Sequence, residues 1–312
     1  MKTSLLDKLD EIKLPTHGSQ YKEFLNDGGT VISPSGLRNI IDNPSEWKKN
    51  VINKEKTFFG NKNTQIGSYV HLYCDYFYQG KLTNEKRLPK EIKNLFFSQN
   101  KDINLLEFLD KKETIRMDNY LEMLCDVVRE EYLELYPEPL EAEGYIEFKL
   151  DDKTLIAGSF DVLSEECDEN IGDGHLVMTD FKTTDKTLKP ESMLNYILQL
   201  SVYCRLYELN HNLKPTKIRI VGIVKNLSPK IQILECKPNY ELASKIVTNA
   251  YNAIRFDRGE DLTRDEIKEL IFRENIYSFT TDKDIIKKII GDVTITTSEE
   301  RKVKKVIQSV FG

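Results

Sequence analysis

Cysteine is scarce in this chain, and what there is lies scattered. The five residues, Cys74, Cys125, Cys167, Cys204 and Cys236, are odd in number and form no CxxC pair, which argues against a disulfide framework and against a four-cysteine zinc site. Long apolar runs are missing as well: nothing approaches the ~20 residues of a membrane-spanning helix, and the opening stretch MKTSLLDKLDEIKLPTHG is charged throughout, unlike a targeting segment. The expectation is a soluble chain of a reducing cytoplasm, or of a host-cell cytoplasm, with no membrane partner. There is no excess of positive charge, because 45 Lys and Arg face 51 Asp and Glu for a net charge of −6 and a pI near 5.5. No global basic field advertises a polyanion, although 45 cations suffice to line one local groove. The phosphate-binding signature GxxxxGK[ST] does not occur, so no nucleotide cofactor is expected. Repeats and low-complexity linkers are also lacking.

What remains is a globular composition, 39% hydrophobic and 31% charged over 312 residues, enough to bury a substantial core. From Met1 to about Pro137 apolar residues recur at three- and four-residue spacing in NPSEWKKNVI, QIGSYVHLYCDYFY, PKEIKNLFF and DNYLEMLCDVVREEYLELY, an α-rich front. Between Glu143 and Thr183 the text turns strand-like in GYIEFKL, TLIAGSFDVL and HLVMTDFKT, and the short connections predict three consecutive antiparallel strands. PESMLNYILQLSVYCRLYELN then reads as a crossover helix of about five turns with Pro190 in its first turn, followed by strands KIRIVGIVK and KIQILECK and by two or three helices ending in SEERKVKKVIQSVF. The order predicts an α/β fold with a mixed central sheet flanked by helices. We divide it as 1–140, an α-rich N-terminal region; 141–237, the core; and 238–312, a helical extension, all integrated into one domain.

In HLVMTDFKTTDK the strand alternation sets Asp180 and Lys182 on one face and Phe181 on the other. A lone DxK is most often an ion pair at a strand end. Asp161 interrupts the apolar run AGSFDVL on the preceding strand, and an acid there is costly unless paired or bound to a cation. It could merely start a turn, but with Asp180 it offers two hard oxygen ligands of the kind Mg2+ or Mn2+ prefers. An ideal hairpin over Ser164 to Gly174 would offset the two acids by about three residues, ~10 Å; a bend, bulge or different pairing must close that distance, and Gly158 is the local hint of distortion. On the crossover helix Gln199 and Tyr203 share a face. A tyrosine at that spacing usually packs a core, whereas an amide among YILQLSVY calls for a polar target. His71 lies one turn after Gly67, where a helical histidine is more often a core residue than a ligand.

Taken in order, SPSGLRNIIDNPSEWKKN, GSYVHLYCD, EGYIEFKL, LIAGSFDVL, VMTDFKTT and QLSVY resemble the RecB-like branch of the PD-(D/E)XK nuclease superfamily, which includes viral and recombination exonucleases. The resemblance covers roughly 32–209 and implies a restriction-endonuclease-like core. It implies that His71, Asp161, Asp180 and the Phe181 carbonyl bind a divalent metal, Mg2+ or Mn2+, and that Lys182 assists the attacking water. Gln199 and Tyr203 match the helix signature beside the site, and Glu143 matches the acid opening the strand before Asp161. Two departures stand out. Phe160 replaces the proline that names the superfamily, and the late group of three cysteines that holds an iron–sulfur cluster in some RecB-like nucleases has no counterpart after Cys236, so no cluster is expected.

The function so implied is a metal-dependent deoxyribonuclease, foremost an exonuclease of replication, repair or recombination, with viral origin within its range. Its partners would be DNA, single-stranded or with ends, and a helicase or recombination protein. Tyr and Phe of the helical front and the C-terminal helices would shape a strand channel by stacking. The alternatives are a structure-selective endonuclease and a nucleic-acid-binding scaffold with an inactive nuclease core.

Overall fold

The computed structural model describes residues 20–55, 61–100, 107–110, 113–167, 174–189, 193–226, 228–268 and 293–297. Its centre is a seven-stranded mixed sheet. The strands are β1 (Thr30–Ile32), β4 (Glu141–Asp151), β5 (Thr154–Cys167), β6 (Gly174–Thr184), β7 (Lys217–Val224), β8 (Lys230–Cys236) and β9 (Thr294–Thr297), with β2 (Glu107–Asp110) and β3 (Glu113–Arg116) forming a separate hairpin. β4, β5 and β6 pair antiparallel as expected, β6 and β7 pair parallel, and α7 (Leu194–His211) makes the crossover between them.

Helices cover both faces, and strand alternation divides the core between them. On β7, Ile218 and Ile220 join one cluster beneath α2 (Pro34–Asp42), α7 and α8 (Tyr240–Asp257). Val221 and Ile223 join the other, beneath α4 (Lys62–Tyr78), α5 (Lys90–Gln99) and α6 (Met117–Glu131). A sheet covered on both faces explains the nearly continuous burial of β7 from Ile218 to Val224.

Several expectations require correction. The front is α-rich as expected, and it also holds strands that were not expected: β1 pairs parallel with β5, and β2 and β3 form a hairpin between the helices. The region after Lys237 supplies the edge strand β9, whereas SEERKVKKVIQSVF lies outside the described residues. The crossover helix starts at Leu194 with Met193 as its cap, and Pro190 lies outside the described residues. The front aromatics Tyr69, Tyr73, Phe96, Phe97 and Tyr120 are buried in the core, Tyr69 meeting Phe96 edge-on at 5.1 Å between ring centres. Their faces pack protein, so they offer no stacking surface to a nucleic-acid strand.

Candidate active site

The register of three strands builds the site. Ala142 pairs with Val162 and Gly144 with Phe160, so Glu143 stands across from Asp161. On the other side of β5, Val162 pairs with Thr179, and the next step of that register sets Asp180 across from Asp161. Residues opposite one another in an antiparallel pair share a face, so Glu143, Asp161 and Asp180 form a row across β4, β5 and β6. The expected three-residue offset is absent. β5 stays paired as far as Cys167, opposite Gly174, so the hairpin is centred later than a loop over Ser164 to Gly174 would put it.

Gly158 is not a distortion either. It pairs regularly with Ile146, and its missing side chain makes room for Tyr203: a Cβ there would lie 2.7 Å from the Tyr203 hydroxyl. Phe160, in the proline position, is buried edge-on to Tyr203 at 6.3 Å between ring centres. A Cβ on Gly144 would collide with the Phe160 ring at 2.1 Å, so this pair of residues fits together as a unit.

Beyond Val162 and Thr179 the β5–β6 ladder ends, and side chains take over its work. The Phe181 N–H donates to Asp161 Oδ2 at 2.6 Å, which fixes that carboxylate against the opening. Asp161 Oδ1 lies 3.4 Å from His71 Nδ1. His71 reaches the row from α4, whose Gly67 allows close approach: a Cβ there would lie 3.2 Å from Thr183 Oγ1 on β6. The helix begins at Asn61, which caps it reciprocally with Thr64. Ligand atoms of His71, Glu143 and Asp161 all lie within 4.8 Å of one another.

Asp180 and Lys182 do share a face, with Lys182 Nζ 2.7 Å from Asp180 Oδ1, while Phe181 is buried in the opposite core. Lys182 Nζ also lies 5.5 Å from the centre of the Tyr196 ring. Gln199 Nε2 is 3.5 Å from Asp180 Oδ1, the polar target its position called for. Among the described residues, Asp180 Oδ2 and Gln199 Oε1 are buried without a hydrogen-bond partner. Tyr203 is buried one turn further along α7, with its hydroxyl against Gly158.

Crowding shifts the protonation of every member. Burial alone would lower the His71 pKa, but the charge and hydrogen bond of Asp161 outweigh it and push it up to about 9. Burial, reinforced by Asp161, pushes Glu143 up to about 8. Burial would raise Asp161 too, yet His71, Lys182 and the Phe181 N–H hold it below the ordinary carboxylate range. Asp180 is raised by burial, against the pull of Lys182. Lys182 is held above its ordinary value because Asp180 and Asp161 outweigh its own burial.

Three acids in a row repel one another, and a buried carboxylate oxygen with no partner is costly. A bound cation would relieve both. The donor set, carboxylate oxygens with one imidazole, suits a hard or borderline divalent ion, so the residues fit a divalent metal. Glu143 is the member whose part is least readable from sequence. Its φ of 51° holds it in a left-handed conformation uncommon outside glycine, and only the register reveals that it faces Asp161.

The PD-(D/E)XK nuclease superfamily model matches residues 31–282. The chain belongs to that superfamily. Among curated proteins none matches the sequence. A crystal structure described as that of a "Putative exonuclease" from Eubacterium rectale superposes with a TM-score of 0.53 at 17% identity, covering 80% of this chain and 89% of that one. That likeness shows the shared fold. Membership of the PD-(D/E)XK superfamily makes the chain a nuclease acting on nucleic acid with a divalent metal. Among the described residues no helix is long and apolar enough to cross a membrane.

Proposed function

We propose that the chain is a deoxyribonuclease of the RecB-like branch, an exonuclease of replication, repair or recombination within the range of viral enzymes. The observation that carries this reading is the acidic row with His71 beside Asp161 and Lys182 against Asp180. His71, Glu143, Asp161, Asp180 and the Phe181 carbonyl would hold Mg2+ or Mn2+. Residues in an antiparallel ladder use N–H and C=O on the same edge, so the Phe181 carbonyl shares the edge on which its N–H meets Asp161. The metal, when bound, supplies charge neutralisation at the phosphate and a more acidic water. Lys182 orients the attacking water and stabilises developing negative charge from a buried position where such a charge counts most. Asp180 holds the Lys182 ammonium in place, and Gln199 supports Asp180. The intact acids and lysine speak against an inactive scaffold.

Digestion of linear and circular single-stranded DNA with Mg2+ or Mn2+ tests the reading. Loss of the linear form with the circle intact is the expected result. Cleavage of the circle would make the enzyme an endonuclease, and no cleavage of either would leave the scaffold.

The shifted protonation gives a second expectation. Raised pKa values favour the folded state below the unfolded-state pKa and lose that benefit as pH climbs through the folded value. The metal-free protein therefore loses this stabilisation as pH rises from 6.5 through about 9 for His71 and from 4.5 through about 8 for Glu143. Ligands must shed these protons, so Mn2+ binding at pH 7 is expected to release about two protons and to tighten as pH rises. Calorimetry in two buffers of different ionisation enthalpy measures that release, and binding without it would remove both residues from the ligand set.

A further inference from the structure

Lys182 has a second neighbour besides Asp180, and it comes from the first turn of α7. Tyr196 precedes Gln199 by three residues and so shares its face. The two reach alternate residues of β6: Gln199 Nε2 stands 3.5 Å from Asp180 Oδ1, and Lys182 Nζ stands over the Tyr196 ring at 5.5 Å from its centre. Three residues of helix rise ~4.5 Å and two of strand ~6.6 Å, close enough for one helical turn to serve both.

The ring stands on a firm base. The Tyr196 N–H donates to the Met193 carbonyl at 3.0 Å, Met193 and Leu194 beside it are buried, and the ring is half-buried against the same cluster. Lysine, by contrast, carries a compact charge on a flexible stem, so the place of the Lys182 ammonium depends on what surrounds it. Asp180 accepts from it at 2.7 Å, but Asp180 is also among the residues that would hold the metal. A carboxylate whose charge is shared with a divalent ion attracts an ammonium less. A ring face attracts a cation within ~6 Å of its centre, takes up no proton and offers a hard ion no ligand atom.

Resting on the nuclease reading above, we infer that the face of Tyr196 is a positioning element for Lys182, holding its ammonium at the edge of the acidic row when Asp180 is shared. A ring face uses no directed acceptor. The N–H groups not given to Asp180 can therefore turn to the attacking water and to the phosphate. Tyr196 acts through Lys182 and touches neither.

The placement is read first in the metal-free protein by NMR with isotope-labelled lysine, the Lys182 signals being those lost in Lys182→Ala. Ring current should move the ε-methylene protons of Lys182 upfield in the wild type and in Tyr196→Phe, and Tyr196→Leu should return them to the ordinary lysine position. In turnover of linear single-stranded DNA, Tyr196→Leu is expected to lower kcat about tenfold, as for a shielded cation–ring contact, with little change in KM. Tyr196→Phe, which keeps the ring, should recover most of that loss. In a Lys182→Ala background the change Tyr196→Leu should cost nothing further. Fluorinated phenylalanines at position 196 keep the shape while draining negative charge from the ring face, so kcat should fall with each added fluorine, and this series serves even where the leucine variant does not fold. A flat fluorine series, a Tyr196→Phe enzyme as slow as Tyr196→Leu, or an independent cost in the Lys182→Ala background would overturn the positioning role alone. Absence of cleavage by the wild-type protein would overturn the nuclease reading, and the role of Tyr196 in turnover with it, even where the ring-current shift is present.

Discussion

Replacing Lys182 by alanine is expected to lower turnover by a hundredfold or more, on the order of 3 kcal/mol of barrier, with metal affinity nearly intact. Lys182 Nζ sits 2.7 Å from Asp180 Oδ1, and its side chain is 19% exposed, near enough to the surface to meet substrate yet shielded enough for its charge to act. Asp180 already stands above the ordinary carboxylate range. Without the ammonium it rises further, so the metal-free variant is expected to keep Asp180 protonated and avoid an unpaired buried charge. Adding a divalent ion restores a positive neighbour, which is why folding and metal binding should survive. Lys182→Met, which keeps the aliphatic bulk, separates packing from charge. Both variants should be equally slow, and near-normal cleavage by either folded variant would remove Lys182 from the chemistry.

The site was legible in sequence to the extent that local periodicity could carry it. Alternation along VMTDFKTT placed Asp180 with Lys182 and sent Phe181 to the core, and the helical repeat put Gln199 and Tyr203 on one face, with a polar target called for beside the amide. Those relations depend on one element at a time. The relation of Asp161 to Asp180 depends on how far β5 runs before it turns, and nothing in SEECDENIGDG states that pairing continues to Cys167 and Gly174. The relation of Glu143 to Asp161 depends on a register across two strands and on a backbone conformation at 143 that sequence does not signal. Short parallel β1 was hidden for a similar reason: three residues paired to a distant strand leave no period to detect. The aromatic helices of the front read correctly as helices, but their burial came from packing on one another and on the sheet, which tertiary context alone decides.

Asp161 links every part of the site, and Asp161→Asn is expected to abolish cleavage and weaken Mn2+ binding by roughly a hundredfold or more, the loss of a hard anionic ligand. An asparagine fits the space. Its amide oxygen can take the place of Oδ2 in accepting from the Phe181 N–H, with the amide nitrogen turned toward His71. The shape of the opening is therefore kept while one negative charge goes. That charge holds His71 protonated up to about 9, so its removal should return the imidazole toward the ordinary value near 6.5, as measured by NMR titration of the metal-free protein. Glu143 and Asp180 should ionise more readily as well, because Asp161 is among the causes that raise both. DNA binding can persist or tighten, since negative charge beside the phosphate has been taken away. A core histidine with no tie to Asp161 would titrate at the same pH in wild type and variant. An Asp161→Asn protein with unchanged Mn2+ affinity and an unmoved His71 titration would therefore place the metal away from this row.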